Sequence, residues 1–166
     1  MGIFKTNKGA RRTVEEILVS PLDGAIIPLE ALSDEIFATG LLGDGVGIDP
    51  ACGVLCAPCS GQVEQTFDTG HAVTLISDGG AEILLHVGMD TVALDGRHFE
   101  LLVRAGERVV IGRPLIRFDR AAIAEEGYVV ATPVVVTNAR EFEISVLARE
   151  QVTAGEPLLA LKRRNG

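Results

Sequence analysis

Short apolar runs separated by proline and glycine turns fill the chain from Ile17 to Leu161. Residues 17–30 read as a strand, a Pro21-Leu22-Asp23-Gly24 turn and a second strand. Residues 51–67 repeat that design, with Val54–Ala57, a turn over Pro58–Gly61, and Gln62–Phe67. A second echo links Val103–Glu107 to Val152–Glu156, since both end Ala-Gly-Glu and both precede a proline-led apolar run. Such echoes predict an internally duplicated β unit. Further strands are expected at Val109–Phe118, Val129–Thr137, Glu143–Leu147 and Pro157–Leu161. Helix signals are sparse. Asp34–Thr39 could make a helical turn or a short strand, Phe99–Ala105 a short helical turn, and Arg120–Glu126 a short helix. The pattern predicts an all-β fold, an antiparallel β-sandwich or flattened barrel with duplicated units and only short helical turns.

The clearest pair of strands is Ala72–Ser77 and Ala81–Val87, both rich in β-branched and aliphatic residues and separated by Asp78-Gly79, a two-residue hairpin signal. If Asp78 and Gly79 are the central turn residues, Ser77 pairs with Gly80, Ile76 with Ala81, Leu75 with Glu82, Val73 with Leu84, and His71 with His86. Residues directly opposite share a sheet face, with Cβ atoms about 5 Å apart. Two of the three histidines are therefore expected side by side on one exposed face.

Composition narrows the setting. A chain of 166 residues that is 47% hydrophobic is long enough for one domain with its own core. That domain is expected to span 14–166 behind a flexible basic tail at 1–13, which carries Lys5, Lys8, Arg11 and Arg12 and no acid. Setting those four bases aside with Lys162, Arg163 and Arg164 leaves 8 basic residues against 23 acidic ones. A body of that charge repels nucleic acid and suits basic partners, while the tail is suited to weak contact with anionic lipid. The opening Met-Gly-Ile-Phe-Lys-Thr also fits the short N-myristoylation pattern. No apolar run is long enough to span a bilayer and no signal peptide is visible, which favours the cytoplasm. Cys52, Cys56 and Cys59 lack the fourth ligand of a structural zinc site, and the Cys56–Cys59 pair lacks the following helix of a redox dithiol, so Cys56 and Cys59 read as small buried hydrophobes. The glycine-rich 43–47 segment lacks the lysine and helix of a phosphate-binding loop and reads as a bend that brings backbone close to a neighbour. His98 stands in a loop without a visible partner.

The chemistry therefore rests on His71 and His86, with Thr69, Gly88 and Asp90 beside them. Paired imidazoles could bind a metal with Asp90 or a partner's carboxylate, could act as acid and base, or could divide into a nucleophile that accepts a phosphoryl group and a helper that hydrogen-bonds its oxygens. The segment 69–92 resembles the active-site hairpin of glucose-class enzyme IIA proteins of the bacterial phosphoenolpyruvate-dependent sugar phosphotransferase system. The resemblance runs over nearly the whole chain and includes Pro21–Gly24, Gly43–Val46, Ala57-Pro58 with Gly61, Thr132–Val135, and the His-x-Gly-x-Asp-Thr-Val run at 86–92.

The resemblance implies a phosphocarrier, a phosphotransferase component that works through a phosphohistidine. His86 would take the phosphoryl group from the phosphocarrier protein HPr and pass it to the IIB domain of a sugar transporter. His71 would stabilise the transferring group, with Thr69 orienting the His71 ring and the Gly88 carbonyl orienting His86. Asp34 and Asp90 would face a partner's basic side chains, inside an exposed apolar collar of Ile36, Phe37, Val46, Phe67, Leu84 and Val92. The unphosphorylated form could also bind permeases or kinases. The N-terminal tail would associate with membrane lipid. No cofactor is required, although a zinc ion bridging His71, His86 and a partner's carboxylate has precedent among enteric members. Leu84 stands where some members carry an aromatic residue and Gly70 where they carry Asn, and the cysteines fall at apolar positions of the family. The alternative is a zinc-dependent hydrolase of the lysostaphin-like duplicated β fold. Those enzymes need a His-x-His pair, and Leu84 occupies the position two before His86.

Overall fold

The computed structural model describes residues 15–165, so the basic tail expected at 1–13 lies outside the described residues. The first strands are β1 (Glu15–Val19), β2 (Gly24–Pro28), β3 (Asp44–Pro50), β4 (Val54–Cys56), β5 (Gly61–Thr66), β6 (Ala72–Ser77) and β7 (Glu82–His86). They are followed by β8 (Phe99–Leu101), β9 (Arg108–Val109), β10 (Pro114–Phe118), β11 (Thr132–Val136), β12 (Phe142–Val146), β13 (Gln151–Val152) and β14 (Pro157–Arg163). The described helices are α1 (Glu35–Ala38), α2 (Arg120–Glu125) and three single 3-10 turns. The fold is all-β, as the alternating pattern predicts.

Strands β13-β2-β3-β11-β7-β6-β5-β9 lie side by side in one eight-stranded sheet, and β1-β14-β12 and β4-β10-β8 form two three-stranded sheets. The strand pairs are antiparallel throughout. The central strand β11 is buried at all five positions, because both faces of the large sheet are covered around it. One face joins the main core, in which Leu18, Ile48, Leu75, Leu85, Ile116 and Leu159 are fully buried. Each such side chain contributes about 2 kcal/mol of transfer free energy. The other face carries a smaller cluster of Leu29, Leu32, Phe37, Met89, Ala131 and Val135, with Leu84 packed against it. Leu84 pairs with Val135 and Leu85 with Val134, so the period-2 alternation of β7 and β11 divides the two clusters.

The sequence echo at Glu107 and Glu156 is a repeated self-capped turn. Glu107 donates its N–H to the Arg104 carbonyl at 3.1 Å while its carboxylate accepts the Arg104 N–H at 3.0 Å. Glu156 does the same with Thr153, at 3.0 and 2.7 Å. Three expectations change. The strand expected at Val109–Phe118 is two, β9 and β10, with a turn at 111–112 between them. Phe99–Ala105 is not a helical turn: its start is β8, which pairs with β10 and packs Phe99 and Leu101 against the core. The 43–47 segment is mostly strand β3, yet its glycines do serve close approach. A Cβ at Gly45 would stand 2.0 Å from the Val134 carbonyl oxygen of β11.

Candidate active site

The site is built at the open end of the β6–β7 hairpin. The turn is one residue longer than expected. Ser77 and Ala81 close it, Gly80 takes φ +88, and the Ser77 hydroxyl accepts the Ala81 N–H at 2.9 Å. The register therefore runs Ile76 to Glu82, Thr74 to Leu84 and Ala72 to His86, and the expected His71–His86 pairing is corrected by one position. The Ser77 hydroxyl and the left-handed Gly80 stabilise a three-residue loop with a bulge over the two-residue turn.

The two rings meet nevertheless. Beyond β6 the chain leaves the strand through Gly70, whose N–H bonds the Phe67 carbonyl and whose φ is +68. That turn swings His71 onto the His86 side, with ring centroids 4.9 Å apart and planes at 81°. The left-handed conformation at position 70 suits Asn as well as Gly, so the departure from the family's Asn leaves the turn intact. The expected exposure does not hold for His71, which is 5% exposed, whereas His86 is half-buried.

Each ring is held from behind at Nδ1. The Thr69 hydroxyl lies 2.6 Å from His71 Nδ1, and His86 Nδ1 lies 2.7 Å from the Gly88 carbonyl oxygen. A carbonyl oxygen only accepts, so His86 carries its proton on Nδ1 and leaves Nε2 with a free lone pair. Burial is the first cause that pushes the His71 pKa down to about 4, and the neighbouring His86 adds to it. Burial also lowers the pKa of His86, opposed by the Gly88 carbonyl and by the charges of Asp34 and Asp90. Both rings are thus neutral at neutral pH, and a neutral imidazole with a free nitrogen is a nucleophile.

The surroundings are mixed. Phe37 packs on His86 at 5.3 Å between centroids and Phe67 on His71 at 5.5 Å. Asp34 caps α1 by accepting the Ile36 N–H at 2.9 Å, and this places the half-buried carboxylate near His86. Asp90 is exposed with φ +59. Of the proposed collar, Ile36 and Val92 are 48% and 56% exposed, and Phe67 and Leu84 are half-buried. Phe37 and Val46 are corrections, because both are buried. Phe37 folds under α1 onto the smaller cluster, and the strand alternation turns Val46 into the main core. Val129, 51% exposed, was not foreseen; its carbonyl accepts the Met89 N–H, so a residue 40 positions away borders the site. No local signal marks it. The cysteines stay apart from the site as expected: Cys59 is buried, and Cys52 and Cys56 are partly so.

The antiparallel β body thus presents two neutral imidazoles side by side, one of them with an unprotonated ring nitrogen. Among the described residues, no three His, Cys, Asp or Glu side chains stand close enough together to hold a metal ion. Residues 16–142 match the model of the family described as phosphoenolpyruvate-dependent sugar phosphotransferase system, EIIA 1. The chain belongs to this family and is a component of the sugar phosphotransferase system. It is 43% identical over 127 residues to the glucose-specific EIIA component of Bacillus cereus, covering 76% of this chain and 77% of that one. It is 48% identical over 134 residues to the beta-glucoside-specific EIIBCA component of Dickeya chrysanthemi, covering 81% of this chain but 21% of that larger protein. Among solved structures, the glucose permease IIA from Mycoplasma capricolum matches with a TM-score of 0.85 and 34% identity, over 90% of this chain and 97% of that one. No described helix is long and apolar enough to cross a membrane.

Proposed function

We propose that the chain is a phosphocarrier that accepts a phosphoryl group on His86 Nε2 from phospho-HPr and hands it to the IIB domain of a sugar transporter. The observation that carries this reading is the bond from His86 Nδ1 to the Gly88 carbonyl, which leaves Nε2 unprotonated in a ring whose centroid lies 4.9 Å from that of His71. In the first step the donor's N–P bond breaks as the Nε2–P bond forms, and the donor imidazole recovers the electron pair. His71, with Nδ1 accepting from the Thr69 hydroxyl, would present Nε2–H to a phosphoryl oxygen. In the second step the Nε2–P bond breaks toward a nucleophile of the IIB domain. The EIIBCA relative, which by its name carries IIA and IIB parts in one chain, supports that acceptor.

Ile36 and Val92 supply exposed apolar contact around the pair, and Asp34 and Asp90 supply charge for a basic partner. The same face would serve permeases or kinases that bind the unphosphorylated form. A cytoplasmic setting, with the 1–13 tail touching anionic lipid, completes this reading. Zinc fits the two rings only in part. Each offers one Nε2, so a partner's carboxylate and a further ligand would have to complete four-coordination.

Incubation with phosphoenolpyruvate, enzyme I and HPr tests the proposal. The wild type and His71→Ala should take up one phosphate each, with His71→Ala slow to pass it on, whereas His86→Ala should take up none. Phosphate uptake by His86→Ala would overturn the assignment.

A further inference from the structure

We infer that Thr91 is a positioning residue for His86, acting through the Gly88 peptide rather than by contact with the phosphoryl group. This rests on the phosphocarrier reading of His86. The Gly88 carbonyl sets which His86 nitrogen is free, but glycine lacks the side chain that would restrict its own rotation. Gly88 sits at φ +81, so its two flanking peptide planes must be held by other groups. They are held one from each side. The Thr91 hydroxyl donates to the Val87 carbonyl, which fixes the plane before Gly88. The Val129 carbonyl accepts the Met89 N–H at 2.9 Å, which fixes the plane after it. With both planes pinned, the Gly88 carbonyl has one direction, and it ends 2.7 Å from His86 Nδ1.

Thr91 is fully buried and opens the 3-10 turn Thr91–Leu94, so its hydroxyl is aimed back at the strand end and not at solvent. Its methyl packs below Gly88, 2.5 Å from where a Cβ would be, so the same side chain also requires glycine at that position. The residue thus does two things at once. It closes the space under Gly88 and anchors the peptide plane before it.

The test uses the full chain with 15N-labelled histidine and compares Thr91→Val, Thr91→Ala and Thr91→Ser. In the wild type, the imidazole nitrogen signals should report His86 as the Nδ1–H form. Thr91→Val should populate the Nε2–H form and slow phosphate uptake from phospho-HPr about tenfold, the cost of one hydrogen bond. Thr91→Ala gives the same reading without a second methyl to accommodate, and Thr91→Ser should restore both the tautomer and the rate. A His86 ring that stays Nδ1–H in the folded Val and Ala variants, with uptake within twofold of wild type, overturns the inference. A tautomer change on Thr91→Val, with wild-type His86 itself accepting no phosphate, would sink the phosphocarrier reading and leave the positioning role standing.

Discussion

Buried His71 resists protonation, and this makes the stability of the fold depend on pH in a calculable way. Its pKa falls from 6.5 to about 4 because burial strips water from the ring and His86 stands 4.9 Å away. In the unfolded chain the ring takes up a proton below pH 6.5, whereas the folded ring refuses one until about pH 4. Acid therefore favours the unfolded state progressively through that window, and the effect levels off below it. At pH 4.5 this linkage amounts to roughly 2.5 kcal/mol lost relative to neutral pH. Urea unfolding of the wild type and of His71→Gln at pH 7 and pH 4.5 isolates this share from the carboxylates, which both proteins keep. The wild type should lose roughly 2 kcal/mol more than the variant over that interval. Equal losses, or an imidazole signal for His71 that titrates near 6.5, would refute the reasoning.

The remaining predictions concern the supports of the pair and one cysteine. Gly88→Ala places a Cβ 2.5 Å from Thr91 Cγ2 and 3.0 Å from the Val129 oxygen at φ +81, and should cost roughly 2 kcal/mol or more in a urea titration. Thr69→Val removes the hydroxyl that orients His71 and should slow onward phosphoryl transfer about tenfold, with Thr69→Ser restoring it in a transfer assay. Burial, then Glu16 and Asp78, push the Cys59 thiol up to about 12, so a thiol-reactive dye at pH 8 should label it only after unfolding, as peptide mapping would show.

Much of the hairpin is legible in the β-branched runs on either side of Asp78-Gly79, because strand length and alternation are local properties. Its register is not, since Asp78-Gly79-Gly80 permits both a two-residue and a three-residue loop. The choice is made by the Ser77 hydroxyl on the Ala81 N–H and by Gly80 at φ +88. His71 and His86 meet through a bend at Gly70 and not through ladder pairing, so the expected neighbours were found by a different geometry. The burial of Phe37 was hidden because it depends on α1 folding back over the sheet, which no spacing within 34–39 declares. Val129 and Thr91 were hidden for a related reason. Val129 acts through its backbone carbonyl, which leaves no pattern in side-chain type. Thr91, although it stands in the 86–92 run, acts through a hydroxyl bond to the Val87 carbonyl that the run does not declare. The repeated Ala-Gly-Glu turns were legible because the glutamate caps its own turn, a contact made within four residues.

The phosphocarrier proposal requires that His86 react through Nε2 while Gly88 holds the proton on Nδ1. Phosphorylation of the full chain by enzyme I and HPr, followed by 31P and 15N spectra of the phosphohistidine, tests it directly. A single phosphohistidine on His86, bonded at Nε2 with Nδ1 still protonated, is expected. A phosphoryl group on His86 Nδ1, or on His71, would contradict the proposal.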